Sequence, residues 1–488
     1  MELGNPLLTD LYELTMMQGY FKNSSKNKTV VFDLFYRENP WGNGYSVMCG
    51  SEQVLDYIDR LKFDNSDIEY LSKLNLFEKD FLEYLRNFRF TGDIYSIDEG
   101  SIIFPKEPIL KIIAPIMEAQ LIETAVLCII NHQSLIATKA ARIREAVGTD
   151  NVMEFGLRRA QGPDAGIYGA RAAIIGGCSG TSNLLSGKMF DIPVMGTHAH
   201  SWVMSFNTEL EAFRTYSRLF PNIAILLVDT YDTLNSGIPN AIKVFNEMKE
   251  NGTLNGIYGI RLDSGDLAYI SKKARIMLDE AGFNDAIICA SNDLDEILID
   301  SLKNQGAKIS LWGVGTKLIT AEGNSSFGGV YKMAAIEGDS GEFVPKIKLS
   351  DNAEKVTNPG NKKVYRIYEE PEHKIKADYI CLDHEVLNPD GELHLFSPTE
   401  PWKKTVLEPG SYSIKEILKP VYIKGKRTQP KSSVMQLQKF CNEEKETLWA
   451  EARRLVNPHR VAVDLSRELY NLKNKLFNKN AGNRTVKR

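Results

Sequence analysis

From Gly148 onward the chain alternates short apolar runs with amphipathic segments of helical period, and each apolar run stops at polar or glycine-rich residues. The stops fall at Phe155-Gly156-Leu157-Arg158-Arg159, Cys178-Ser179-Gly180-Thr181-Ser182, Gly196-Thr197-His198-Ala199-His200-Ser201, Asp229-Thr230-Tyr231-Asp232, Arg261-Leu262-Asp263-Ser264-Gly265-Asp266, Ser291-Asn292-Asp293 and Gly313-Val314-Gly315-Thr316. Such alternation predicts successive βα units around a parallel sheet. An open doubly wound sheet concentrates chemistry at one switch point, whereas here every strand end carries it, which favours a (β/α) barrel with its site at the carboxyl face.

The flanking regions read differently. Asp10, with Glu13 three residues on and an apolar run behind, predicts a capped helix from about Asp10, in which Tyr12 taken alone is a packing residue. Residues 29–36 and 92–113 are strand-rich, and Met117 to Val147 reads as one long helix with His132 on its apolar part. From about Glu337 the regularity is lost. Ser350 to Tyr365 reads as a loop, Ser433 to Phe477 as mostly helical, and the basic clusters at Lys419 to Lys431 and Asn478 to Arg488 as solvated faces or frayed ends. The expected organisation is therefore an N-terminal α/β domain over 1–147, an irregular, incomplete (β/α) barrel over 148–336, and a C-terminal extension over 337–488, a loop followed by mostly helical sequence.

Composition narrows the partners. At 488 residues with 59 Lys and Arg against 63 Asp and Glu, the net charge is −4, so no global field draws the chain to nucleic acid or anionic lipid. Six cysteines stand far apart without a CxxC pair, which suits a reducing compartment. No apolar run is long enough to cross a bilayer, and the start lacks a signal pattern, so the expected location is the cytoplasm, with no membrane partner.

The apolar run Phe190 to Met195 predicts a strand, and Trp202 to Phe220 a helix, with Gly196 to Ser201 at the junction. Amides at a helix start favour an anion, and a histidine there can exchange protons or phosphoryl groups; it can also simply cap the helix. Gly313 to Thr316 has the glycines and hydroxyl that let backbone N–H groups approach a phosphate, and Arg158, Arg159 and Arg261 supply guanidinium groups. Asp229, Asp232, Asp263, Asp266 and Asp293 can orient a histidine, bind ribose hydroxyls or hold a cation through water. A metal-hydrolase reading of His198 and His200 needs further histidine ligands, and the next one along the chain is His373.

Seven motifs spread over most of the chain carry a resemblance: LLTDLYELTMMQGYF (7–21), FGLRRAQGPD (155–164), GTHAHS (196–201), VDTYDT (228–233), RLDSGDL (261–267), GVGTKLIT (313–320) and NPHRVAVDLS (457–466). Together they resemble the nicotinate phosphoribosyltransferases of bacterial and animal type. The resemblance implies the type II phosphoribosyltransferase fold and a homodimer with a shared active site. It also implies transfer of phosphoribosyl from its diphosphate to nicotinate in NAD salvage, with ATP as co-substrate and Mg²⁺ as cofactor, and no particular metal ligands.

By the same resemblance His200 is the phosphohistidine and Asp229 holds its imidazole, while His198 fills a variable position. Phe155 and the partner's Tyr12 sandwich the pyridine ring, and Arg261, with Thr197 close by, meets the carboxylate. Asp263 and Asp293 touch ribose hydroxyls, Gly315 and Thr316 the 5-phosphate, and Arg158 the diphosphate. The amide-specific relatives place an aspartate after a Gly-Thr pair where this chain has Ser182, a hydroxyl able to donate to a carboxylate, so the acid is the expected substrate.

Overall fold

The computed structural model describes residues 4–23, 27–350, 356–398, 400 and 402–481. Its contacts divide the chain into two compact units. One comprises Met1–Leu135, Ser326–Ser432 and Lys439–Arg488, the other Ile136–Ser325 with Ser433–Gln438.

The first unit contains two large sheets. An antiparallel sheet of seven strands runs, edge to edge, Phe343–Pro345, Gly329–Glu337, Thr29–Tyr36, Leu110–Pro115, Asp93–Ile97, Leu418–Ile423 and Lys426–Arg427. A mixed sheet of six runs Lys404–Leu407, Leu393–Phe396, Ala462–Leu465, Lys374–Leu382, Lys362–Glu369 and Tyr412–Glu416. Between Phe343 and Arg427 the chain is thus strand-rich where the sequence suggested a loop and then helices, while Ser433 to Phe477 is mostly helical as expected, through Val434–Glu446 and Arg467–Ala481. Charge hid the pattern: fully buried Arg366 pairs with Asp378 at 2.7 Å and Glu444 at 3.0 Å, and buried Lys362 with Asp33 at 2.7 Å. Charged residues inside a strand read as solvent-facing unless their partners are known. Residues 351–355 of the expected loop and 482–488 of the basic tail lie outside the described residues.

The first helix spans Leu11–Phe21, but its expected capping box does not form. Both acids are engaged elsewhere, since the Thr124 hydroxyl contacts Asp10 at 2.8 Å and Glu13 at 2.7 Å. The long helix is broken once, into Ile116–Leu121 and Glu123–Val147.

The second unit holds six parallel strands, β1 (Asn151–Glu154), β2 (Gly180–Thr181), β3 (Ile223–Leu227), β4 (Ile257–Leu262), β5 (Ile287–Ala290) and β6 (Leu311–Val314), in the order β2-β1-β6-β5-β4-β3. The first strand pairs with the last, in register from Asn151 opposite Leu311 to Glu154 opposite Val314. That closure is what a barrel requires and a doubly wound sheet lacks. The ring stays open between β2 and β3. The expected strand before Gly196 is only a single bridge from Val194 to Thr181, because the preceding residues form helix α1 (Leu184–Phe190). The helix expected over Trp202 to Phe220 is two, α2 (His200–Met204) and α3 (Glu209–Leu219). All six cysteines are free, and no helix among the described residues is long and apolar enough to cross a membrane.

Candidate active site

An open cavity of about 430 Å³ lies at the carboxyl ends of these strands, lined among others by Phe155, Arg158, Ser182, Thr197, His200, Arg261 and Asp263. Its floor is set by backbone geometry. Glu154 is buried at the end of β1, and its carboxylate accepts from the Thr181 hydroxyl at 2.6 Å and from the Gly156 amide. The Ser182 amide donates to the Glu154 carbonyl at 3.0 Å, so one residue fixes the turn after Phe155 and the start of the Ser182 loop. Burial pushes the Glu154 carboxyl above its ordinary range, a shift partly offset by Thr181 and Gly156. Phe155 packs on a core of Met153, Ile225, Cys289 and Leu311. A Cβ at Gly313 would fall 2.7 Å from the Phe155 ring, so the bare glycine makes room for the aromatic.

Arg261, at the end of β4, is held on three sides. It donates from Nε to Ser291 Oγ, from one terminal nitrogen to Thr197 Oγ1 and from the other to Asp263 Oδ1, each at 2.9 Å. Two of its five N–H donors remain for a ligand, and its side chain is 16% exposed. Burial pushes the Asp263 carboxyl up, but the Ser291 hydroxyl and Arg261 outweigh it and hold the group below its usual range.

His200 opens α2 with its side chain 41% exposed. Its Nδ1 lies 3.1 Å from Thr230 Oγ1 and its Nε2 3.8 Å from Asp263 Oδ2. Asp229, expected on the imidazole, is turned elsewhere: its Oδ2 accepts from the Asp263 amide at 2.7 Å and the Ser264 hydroxyl at 2.8 Å. Its Oδ1 is buried without a hydrogen-bond partner among the described residues. The β4 loop has captured the carboxylate, and the neighbouring hydroxyl of Thr230 meets the ring instead.

His198 differs in kind from His200. It is 7% exposed, its ring meets Tyr216 of α3 edge-on at 4.7 Å, and its Nε2 accepts from the Leu227 amide at 3.2 Å. Burial lowers its pKa to about 4, against the opposing effect of the Ala199 carbonyl and with a smaller push from the Arg261 guanidinium.

Other expected residues stand apart from this cavity lining. Asp293 lies three residues beyond β5, beside Asn292, both with positive φ, and Gly315 and Thr316 form the turn into the four-residue helix after β6. A Cβ at Gly315 would come 3.1 Å from the Phe155 carbonyl, so that turn adjoins the cavity floor. Asp232 and Asp266 are helix caps, bonded to the amides of Asn235 and Tyr269. Tyr12 belongs to the first unit, where it is 47% exposed beside exposed Leu11 and Met16. Thr230, Ser291 and Glu154 were missed from sequence. Each sits in or beside a strand-end segment already singled out, next to a charged or aromatic neighbour that drew the attention.

Comparisons with known proteins agree over the chain. Family models match the nicotinate phosphoribosyltransferase N-terminal domain at residues 7–131, the nicotinate phosphoribosyltransferase family at 151–376 and the C-terminal domain at 361–473. A nicotinate phosphoribosyltransferase of Bacillus subtilis is 47% identical over 96% of this chain and 94% of that protein. One from Dictyostelium discoideum is 34% identical over 97% and 88%. The crystal structure of human nicotinic acid phosphoribosyltransferase superposes with a TM-score of 0.83 at 27% identity, covering 96% of this chain and 99% of the human one.

Proposed function

The chain belongs to the nicotinate phosphoribosyltransferase family, and from that premise we propose that it transfers phosphoribosyl from its diphosphate to nicotinate, coupled to ATP hydrolysis through a phosphohistidine at His200. The product, nicotinate mononucleotide, makes this the entry of nicotinate into NAD salvage. The observation that carries the reading is one cavity lined by an aromatic ring, an anchored guanidinium with two spare donors, and an accessible imidazole.

In the transfer the pyridine nitrogen attacks C1 of the sugar as the bond from C1 to the diphosphate oxygen breaks. That nitrogen has a lone pair and no proton to lose, so alignment and charge stabilisation carry the catalysis and no general base is needed. Phe155 lies against the pyridine ring, Arg261 and Ser182 meet its carboxylate, and Arg158 faces the departing diphosphate. Asp263 and Asp293 take ribose hydroxyls, and the Gly315 and Thr316 turn takes the 5-phosphate. Magnesium, when bound, would supply charge that neutralises the departing diphosphate, with water and the diphosphate oxygens as its expected ligands.

For the ATP half-reaction, an Nδ1–H donated to Thr230 leaves the Nε2 lone pair free to attack the γ-phosphorus, breaking its bond to the ADP oxygen. Asp229 braces the Asp263 loop beside this nitrogen, and its unpartnered Oδ1 is an acceptor in reserve for the ring. The exposed Leu11, Tyr12 and Met16 on the first helix support a homodimer in which the partner's Tyr12 completes the ring sandwich.

The test is incubation with γ-labelled ATP for wild type and His200→Ala, followed by turnover of nicotinate against nicotinamide. Acid-labile label confined to wild type, with nicotinate preferred, supports the reading. Label persisting in His200→Ala removes His200 as the nucleophile, and preference for nicotinamide removes the substrate assignment.

A further inference from the structure

We propose that His198 is a positioning residue whose imidazole replaces the missing strand of the barrel, clasping the Gly196 to His200 loop onto the open edge of β3. The observations are local and independent of the cavity's ligand. Among the described residues β3 pairs only with β4, and the Val228 amide donates to the Arg261 carbonyl on that side. Successive amides in a strand point to opposite sides, so the Leu227 N–H faces the open edge. It is buried there, where a donor without a partner would be costly, and its partner is His198 Nε2 at 3.2 Å.

The ring suits that task better than it suits chemistry. It sits edge-on to Tyr216 and near Phe213, at 4.7 and 6.1 Å between centroids, so it is wedged between α3 and β3. Burial keeps it neutral, which preserves Nε2 as an acceptor at physiological pH. On one side of the clasp Thr197 holds Arg261, and two residues beyond it His200 meets Thr230, which follows the same β3 strand. The clasp lies between these two contacts and, with them, sets the spacing between the Gly196 to His200 loop and the end of β3. That His200 is the group being positioned rests on the function proposed above; the clasp itself does not.

The experiment compares wild type, His198→Gln and His198→Phe. Glutamine places an amide oxygen where Nε2 stands, while phenylalanine keeps the packing on Tyr216 and Phe213 and removes the acceptor. Hydrogen exchange followed by mass spectrometry should show the Leu227 amide protected in wild type and His198→Gln, and exchanging roughly tenfold faster or more in His198→Phe. The rate of His200 labelling and kcat should fall about tenfold in His198→Phe, with KM for nicotinate moving far less, and recover in His198→Gln. Equal Leu227 exchange in wild type and His198→Phe overturns the clasp. Faster exchange with unchanged kcat overturns the positioning role. Should His198→Phe not fold, the histidine ¹⁵N spectrum of the wild type decides. A signal absent from His198→Gln that stays neutral with an accepting Nε2 at pH 6 supports the clasp, and one protonated there overturns it. The exchange pattern without any labelling of wild type retains the clasp and removes the phosphohistidine reading instead.

Discussion

The barrel is held on one side by a strand ladder backed by ion pairs and stays open on the other, where a few side-chain contacts stand in for a strand. Where β1 meets β6 there is a full ladder, and behind it Glu296 takes Lys139 at 2.7 Å and Arg142 at 2.9 Å, all buried. Asp150, just before β1, adds Lys303 at 2.9 Å and the Trp312 indole N–H at 3.1 Å. Across from it, between the Val194 bridge and β3, the His198 ring meets the Leu227 amide and the His200 ring meets the Thr230 hydroxyl. The redundant side fixes where Phe155 and Gly313 stand. The sparse side carries His200, the imidazole proposed above as the phosphohistidine. Rigidity and chemistry are thus divided between two seams of one sheet.

The strongest way to break this contrast is Glu296→Ala. It removes the carboxylate shared by two buried cations, so unfolding in urea should register a loss of about 3–5 kcal/mol while KM for nicotinate stays near wild type. A smaller loss would mean that the closed seam does not depend on its ion pairs. Next comes Gly313→Ala, whose added methyl collides with the Phe155 ring. A cost of about 1–3 kcal/mol is expected, together with a raised KM for nicotinate, and an unchanged KM would detach Phe155 from the substrate.

The open seam should betray itself through pH. The unfolded chain protonates His198 near 6.5, whereas the folded protein resists until about 4, so its stabilising share is complete above the first value and is lost as pH falls toward the second. Between pH 7 and pH 5 wild type should lose roughly 2 kcal/mol more than His198→Gln in urea titrations, and parallel losses would refute a neutral clasp. The smallest effect is Thr230→Val, which removes the hydroxyl at His200 Nδ1. About 1 kcal/mol, or several-fold slower labelling, is expected with the melting temperature preserved.

Much of the closed seam was legible in the sequence, because its strands are continuous apolar runs that end in glycine, arginine or acid. The open seam was not. Phe190 to Met195 has strand composition, yet α1 consumes its start and leaves a single bridge, an outcome decided by tertiary contacts. The polar detail was half legible. Arg261 and His200 announce themselves by type, but Thr230, Ser291 and Glu154 matter through what they touch, and Asp229 was assigned to a ring that its neighbour meets. In the first unit the strands from Lys362 onward were hidden because their charges are satisfied internally by residues distant in sequence.

The three-point anchorage of Arg261 has one more implication, for discrimination. An arginine on a loose stem can swing away from a ligand that offers it nothing and find water, softening the penalty for a poor match. This one is tied at three points by Ser291, Thr197 and Asp263, so in the role proposed for it a neutral analogue would meet a cation already held in place. Selectivity would then reside in stiffness as much as in charge: a lysine at this position would conserve the sign of the field and surrender the measurement.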